Sequence, residues 1–233
     1  MNNLQRMGGV AALINATAYI VGFAMAFTLL APIMDAAPEQ YLAFLAENQT
    51  LLYVWYLIIY VIAGVFMVPL VLALHERLKG GAPALAATVT AIGLIWAGLV
   101  IASGMLYLKD IGVVAQLYAQ DPAQAATVWL ALSAVENALG GGIELPGGLW
   151  ALLVSWAALR TNGLPKALNI LGLVIGAAGI LTLIPALGEL GTSLFGLGFI
   201  LWFAWAGIVM VRSRVGGRDS WPQPTFDVAS SLQ

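Results

Sequence analysis

The sequence predicts an all-α fold, a polytopic membrane helix bundle of six transmembrane helices with both termini in the cytoplasm. Three observations support this prediction: the chain is strongly apolar, its apolar residues form six long runs, and its basic residues fall on one side of those runs. Hydrophobic residues make up 61% of the chain and charged residues 9%, and the mean hydropathy is +0.94. Because soluble domains carry roughly 25% charged residues, this chain has too few charges to cover a water-exposed surface.

Each of the six apolar runs is long enough to cross a bilayer, which takes about 20 residues for some 30 Å of hydrocarbon. The runs must be helical, because lipid offers backbone groups no hydrogen-bond partner and the runs lack the alternation of a barrel strand. The first run is longer than the apolar core of a cleavable signal peptide, so we expect it to be retained. The predicted spans are residues 8–31, 51–74, 84–108, 139–160, 167–187 and 193–211.

The basic residues predict the orientation of the spans. Of the nine lysines and arginines, only Lys109 falls in a predicted outer segment when the N-terminus is placed inside. The positive-inside rule therefore predicts two cytoplasmic termini and a multi-pass inner-membrane protein. The remaining basic residues are Arg6, Arg77, Lys79, Arg160, Lys166, Arg212, Arg214 and Arg218.

Two outer connections are predicted to be helical. Residues 38–47 start with a proline and are amphipathic, which indicates a short helix on the outer surface, and residues 122–138 form a second helical segment. A straight helix from Pro122 to Arg160 would be about 58 Å long, nearly twice the hydrocarbon thickness. Either its first half projects outside the membrane, or the chain bends at the segment GGGIELPGG, residues 140–148. Three glycines followed by Pro146 favour a break or kink of the fourth helix there.

Residues 1–211 are predicted to form a single transmembrane domain, and residues 212–233 a disordered cytoplasmic tail, because the tail is polar and lacks periodicity. The run RMGGVAALINATAYIVGF and the later run YLAFLAENQTLLYVWYLIIYVIAGVFMVPLVLALHERLK resemble a bacterial family of six-span integral membrane proteins of unknown function. The resemblance covers about residues 5–214. It implies a fold and no chemistry.

Glu144 is the acidic residue that most needs an explanation, because it lies about five residues inside the predicted fourth span. A charge at that depth costs a few kcal/mol unless it is paired, hydrated or protonated. Pro146 has no backbone N–H to bond the carbonyl of Gly142, so a free acceptor would lie near the acid. A carboxylate beside unwound carbonyls is typical of cation or proton sites in transporters with broken helices. The alternative is structural: Glu144 bonds a neighbouring helix or pairs with Lys109.

Depth in the membrane predicts which side chains lie near Glu144. Tyr56 and Tyr60 belong to a stripe at i, i+3 and i+7 that begins at Tyr53, and Ser103 lies at a matching depth in the third span. These residues would line a polar pocket that opens outward, unless the tyrosines form an aromatic belt at the interface. Glu136 is a weaker member of the pocket, since a solvated or capping role also fits its position.

The sequence lacks residue types that several kinds of metal site and catalytic site require. With no cysteine and one histidine, His75, the chain has too few ligands for a metal ion or haem bound by histidine or cysteine. No predicted span supplies a serine–histidine pair, so a non-enzymatic role without a cofactor is favoured. The net charge of −2 offers no basic face for nucleic acid.

Two functional hypotheses follow. In the first, a pocket containing Glu144 binds or transports a small cation, a proton or the polar end of an amphipathic ligand. In the second, the protein is a non-catalytic accessory or assembly subunit of a larger membrane complex, and its surfaces pack against other subunits, lipid or pigment. The lipid bilayer is the expected partner in both.

Overall fold

The computed structural model describes residues 3–34, 36–140 and 143–212 of the 233-residue chain. Within these ranges the regular elements are helices, and no strand occurs. Helices α3 and α4 are joined by a π-helical stretch, Leu57–Ile62, into one continuous rod. The α-helices are α1 (Asn3–Thr28), α2 (Pro38–Glu47), α3 (Gln49–Tyr56), α4 (Ala63–Leu78), α5 (Pro83–Tyr118), α6 (Pro122–Gly140), α7 (Leu145–Thr161), α8 (Lys166–Leu181) and α9 (Gly188–Arg212). Most of the tail predicted to be disordered lies outside the described residues.

Five helical segments are long and apolar enough to cross a membrane, with α3 and α4 counted as one segment and α6 and α7 as another. The chain is therefore a helical, multi-pass membrane protein, which confirms the predicted fold class at this level. Helix α8 has only 16 residues. The sixth crossing, predicted at residues 167–187, stays a prediction.

The long helices form a closed ring. Helix α1 packs against α4, α4 against α5, α5 against α7, α7 against α8, and α8 against α9, which returns to α1. Large apolar side chains fill the centre of this ring, among them Trp150, Trp202 and Phe203, which are almost completely buried. The ring brings residues that are distant in sequence to one interior.

Glycines allow helices α7 and α8 to approach closely. A Cβ atom on Gly148 would lie 2.9 Å from the carbonyl oxygen of Gly176, and one on Gly176 would lie 2.8 Å from the carbonyl oxygen of Gly148. Both distances are shorter than side-chain carbons tolerate, so the backbones meet where neither helix has a side chain. Small residues at such crossings are typical of membrane helices, because they allow close van der Waals packing.

A second apolar cluster lies at one end of the ring. Helix α5 continues to Tyr118, ten residues beyond residue 108, where the third predicted span ends. Its added turns bury Ile111 and Val114 against side chains of α2, α3 and α6. Packing into this cluster, which includes Leu42 and Leu45 of α2, stabilises the helical conformation of residues 109–118.

The chain leaves helical geometry between α6 and α7. Helix α6 ends at Gly140, helix α7 begins at Leu145, and Glu144 belongs to neither. Gly141 and Gly142, on which the predicted kink also depends, lie outside the described residues. The kink therefore stays a prediction.

Pro146 has a different role from the one that the sequence suggests. It occupies the first turn of α7, where backbone N–H groups have no partner within the helix. The helix is initiated by this proline rather than broken by it. The Gly148 amide donates to the Glu144 carbonyl oxygen at 2.8 Å, which is the first turn of α7.

Candidate functional site

A partly open cavity of about 270 Å³ lies beside Glu144, between helices of the ring, and exposed side chains such as Phe27 and Met34 form part of its lining. Helices α1, α5 and α9 form most of its wall, together with the rod of α3 and the π-helical stretch. Its lining is mostly aromatic and aliphatic. The lining residues are Tyr19, Gly22, Phe23, Ala26, Phe27, Met34, Trp55, Ile59, Tyr60, Trp96, Val100, Gly140, Glu144, Thr192, Phe195, Gly196, Phe199 and Phe203.

Glu144 is held at the cavity by its backbone. Its amide donates to the Thr182 hydroxyl at 2.9 Å, and that hydroxyl donates to the carbonyl oxygen of Gly179 at 2.7 Å. Helix α8 therefore fixes the non-helical residue through two hydrogen bonds in series. The Glu144 side chain is half-buried in the cavity wall.

The carboxyl group of Glu144 has no basic partner in the described ranges, where the one ion pair joins Lys79 and Glu76. The alternative in which Glu144 pairs with Lys109 therefore finds no support. Two tyrosines of the cavity wall, Tyr19 and Tyr60, interact electrostatically with Glu144. The acid thus has hydroxyl groups nearby and, as far as the structure describes the chain, no ion-pair partner.

Tyr60 reaches the cavity from the π-helical stretch. An extra residue in one turn shifts the side chains that follow it around the helix axis, and such stretches are common at functional sites. The neighbouring Ile59 packs so closely against α1 that a Cβ on Gly22 would be 2.2 Å from its Cγ2. One turn earlier, the Trp55 indole donates to the carbonyl oxygen of Gly22 at 2.9 Å.

Aromatic rings make up the wall on the α5 and α9 side. The ring centroids of Trp96 and Phe199 are 5.1 Å apart, and those of Phe195 and Phe199 are 4.8 Å apart. On the α1 side, Tyr19 stacks on Phe203 with centroids 6.1 Å apart. The negative faces of such rings attract cations.

Four tyrosines form a second cluster beside the cavity, which we call the tyrosine cluster: Tyr41, Tyr56, Tyr60 and Tyr107. The Tyr41 and Tyr56 hydroxyl oxygens are 3.2 Å apart. Tyr56 stacks on Tyr107 with centroids 4.1 Å apart, and Tyr107 is 5.1 Å from Tyr60 by the same measure. Only Tyr60 belongs both to this cluster and to the cavity wall.

The residues predicted for the pocket are thus divided between two places. Glu144 and Tyr60 line the cavity, whereas Tyr56, Ser103 and Glu136 do not. Ser103 is fully buried and donates to the Glu136 carbonyl oxygen at 3.1 Å, which joins α5 to α6. Gly142 lies outside the described residues.

The interpretation of Glu136 as a solvated side chain is wrong, because its exposed fraction is 1%. Its carboxyl oxygens bond no helix terminus either, since neither has a hydrogen-bond partner among the described residues. Asp110 of α5 is also buried and interacts with Glu136 through its carboxyl group. Asp110 lies just beyond the third predicted span, residues 84–108, and the sequence pattern gives no sign of this pair.

Sequence reasoning also misses the aromatic wall. Phe195, Phe199 and Phe203 recur every four residues on α9, which is a pattern of one helix face. That spacing indicates a buried stripe, but it does not say that a cavity lies beside it. Tyr19 is a lone tyrosine in an apolar run, with no periodic signal at all.

No group of three or more His, Cys, Asp or Glu side chains that could hold a metal ion occurs among the described residues. The site is therefore one acid and several hydroxyl groups at an aromatic cavity. Such a site can bind a cation or a hydrogen-bond donor.

Comparison with known proteins gives a family and no activity. No curated protein and no solved structure matches the chain. A family model described as "Domain of unknown function (DUF4386)" matches residues 7–211, which confirms the expected resemblance to a family of unknown function. Since the match covers most of the sequence, the chain belongs to the DUF4386 family.

Proposed function

We propose that the protein binds the positively charged end of an amphipathic organic molecule in the cavity beside Glu144. The observation that carries the proposal is a carboxyl group that lies in the wall of an aromatic cavity and has no basic partner in the described part of the chain. A carboxylate supplies the opposite charge, and the aromatic rings that line the cavity supply cation–π attraction. Organic ammonium groups are recognised by this combination of a charge and aromatic faces.

The size and lining of the cavity favour an organic cation over a bare ion. A volume of about 270 Å³ is several times the roughly 30 Å³ that one water molecule occupies in the liquid. The lining offers few oxygen ligands beyond Glu144, Thr192 and two tyrosine hydroxyls. Ca²⁺ and Mg²⁺ need six or more oxygen ligands. An alkylammonium group, in contrast, needs mostly apolar contact.

Two irregular elements flank the cavity and would allow it to change shape. Tyr60 lies on the π-helical stretch, and Glu144 lies between α6 and α7. We propose that ligand binding moves the start of α7 together with Glu144, as in transporters with discontinuous helices. The proposal includes six crossings, cytoplasmic termini and a cavity that opens to the outer side of a bacterial inner membrane.

Binding of benzyltrimethylammonium to the purified protein in lipid nanodiscs tests the proposal. The wild-type protein should bind the radiolabelled probe, and Glu144→Gln should weaken binding by about tenfold or more, because charge-assisted contacts contribute about 1.5–3 kcal/mol. Glu189→Gln is the matched control, since Glu189 is an exposed acid outside the cavity. This control should bind the probe like the wild type.

Equal binding by Glu144→Gln and wild type would overturn the proposal, as would a complete lack of wild-type binding to this probe and to a longer alkyltrimethylammonium. A stable complex with another membrane protein, recovered in mild detergent with the same stoichiometry for both variants, would instead support the accessory-subunit hypothesis. Loss of probe binding in both acid variants would show that the effect is one of surface charge.

A further inference from the structure

Two buried carboxyl groups form a separate feature between α5 and α6. The exposed fraction is 8% for Asp110 and 1% for Glu136. Neither residue lines the cavity beside Glu144. The proposed function does not use this pair, so its burial needs another explanation.

The antiparallel packing of α5 and α6 directs the two side chains toward each other. Ser103 of α5 contacts Glu136, Tyr107 donates to Asn137 at 3.4 Å, and Val100 lies beside Gly140. Helical side chains lean toward the N-terminus of their own helix. In an antiparallel pair, the Asp110 and Glu136 side chains therefore lean in opposite directions and converge.

Among the residues that the structure describes, no basic side chain forms an ion pair with Asp110 or Glu136. The ion pair of the described ranges, Lys79–Glu76, lies on α4 and its C-terminal turn, and Lys109 is exposed on another face of α5. Both Glu136 carboxyl oxygens are buried without a hydrogen-bond partner among the described residues. Two ionised carboxylates in such a site would repel each other, and Glu136 would lack the hydrogen bonds that a buried charge requires.

We infer that Asp110 and Glu136 bind one proton between them and form a proton site that is separate from the cavity beside Glu144. One carboxyl group keeps its proton and donates the O–H to the carboxylate of the other. The pair then carries a single negative charge, and the repulsion is replaced by a short, charge-assisted hydrogen bond. The unpartnered Glu136 oxygens provide the acceptor or the donor of that bond.

The surrounding groups fit a proton better than a metal ion. Two tyrosines face the pair, Tyr41 from α2 and Tyr107 from α5, and both interact electrostatically with the acids. Burial raises the pKa of the Tyr41 hydroxyl above its ordinary value, so this phenol stays neutral and adds no further negative charge beside the acids. A metal ion would find only two carboxylates here, fewer than the six or more oxygen ligands of Ca²⁺.

The shared proton affects stability, because the hydrogen bond that it forms joins α5 to α6, the helix that precedes Glu144. Helix α6 ends at Gly140, only four residues before Glu144. Removal of the proton would leave two carboxylates repelling each other across the α5–α6 contact. We therefore expect the melting temperature of the protein to fall as the pH rises from mildly acidic to mildly alkaline.

Infrared spectroscopy of the protein in nanodiscs tests the inference. At neutral pH the wild type should show the C=O stretching band of a protonated carboxyl group, and Asp110→Asn and Glu136→Gln should each change or remove that band. Each amide can donate a hydrogen bond to the remaining carboxylate. Both variants should therefore fold, and their melting temperatures should vary less with pH than that of the wild type. Glu189→Gln should leave band and melting profile unchanged.

The wild-type spectrum can overturn the inference without any variant. It would do so if no band of a protonated carboxyl group appeared at mildly acidic and neutral pH. A band that only Glu144→Gln removes would assign the proton to the cavity and would also overturn it. A rise in melting temperature with sodium or calcium at constant pH, abolished by Asp110→Asn, would show a metal cation in place of the proton.

Discussion

The backbone amide of Glu144 donates to the Thr182 hydroxyl at 2.9 Å, and this one contact fixes the acid at the cavity wall. Thr182 lies just after the last residue of α8 and is itself buried. Its hydroxyl in turn donates a hydrogen bond to the carbonyl oxygen of Gly179. The position of the proposed ligand-binding acid therefore depends on α8 as well as on the first turn of α7.

Replacement of the Thr182 hydroxyl should loosen Glu144. Thr182→Val keeps the shape of the side chain but leaves the Glu144 amide without its acceptor, which costs about 1–3 kcal/mol for a buried group. We expect a lower melting temperature and weaker binding of benzyltrimethylammonium. Thr182→Ser keeps the hydroxyl and is the control. Wild-type binding by the valine variant would show that Thr182 does not position the acid.

The α7–α8 crossing should not tolerate a methyl group. A Cβ on Gly148 would meet the Gly176 carbonyl oxygen at 2.9 Å and the Gly179 backbone at 3.0 Å. Backbone atoms cannot rotate away as a side chain can, so the helices must separate. Overpacking of this kind costs about 1–3 kcal/mol or more, and Gly148→Ala should lower the melting temperature accordingly.

Gly98→Ala is the matched control for that variant. Gly98 also lies within a helix, but a Cβ added there would meet no atom within 4 Å. Alanine has a higher helix propensity than glycine, so this variant should be at least as stable as the wild type. Equal melting temperatures for the two alanine variants would contradict the close approach of α7 and α8.

The bond between Tyr41 and Tyr56 should stabilise the packing of α2 on the bundle. Tyr41→Phe removes one of two hydroxyls that lie 3.2 Å apart and leaves the buried Tyr56 hydroxyl without that partner. The expected loss is about 1 kcal/mol of folding free energy, measured by chemical denaturation. Tyr53→Phe is the control, because the exposed fraction of Tyr53 is 46%. A larger effect at Tyr53 would contradict the prediction.

The sequence alone predicts the class of fold well, because length and hydropathy decide whether a helix can cross a membrane. It predicts less of the site. Depth along a span is readable from residue numbers, which is why Glu144 and Tyr60 are both expected in the pocket. Direction around the helix axis is not readable, and the π-helical stretch changes it between Tyr56 and Tyr60. Tyr56 therefore lies at a similar depth but outside the cavity wall.

The environment of Glu136 could not be predicted for a different reason. Its burial depends on α6 folding back along α5, a tertiary contact set by the turn at residues 119–121. The local sequence shows only that Asp110 and Glu136 are acidic residues near the ends of apolar runs. Side chains in such positions are usually solvated. Only the packing of the two helices brings these acids together and removes them from water.

The sixth crossing can be tested because the chain contains no cysteine, so an introduced one is the sole site of labelling. Lys166 begins α8, and Glu189 follows it at the start of α9. A helix of 16 residues is about 24 Å long, which is shorter than the hydrocarbon core, so α8 needs the residues that follow it or a locally thinned bilayer to cross. If it does, a membrane-impermeant maleimide added to intact cells should label Glu189→Cys and not Lys166→Cys. Labelling of both variants from the same side would show that α8 does not cross, and would leave five spans with termini on opposite sides.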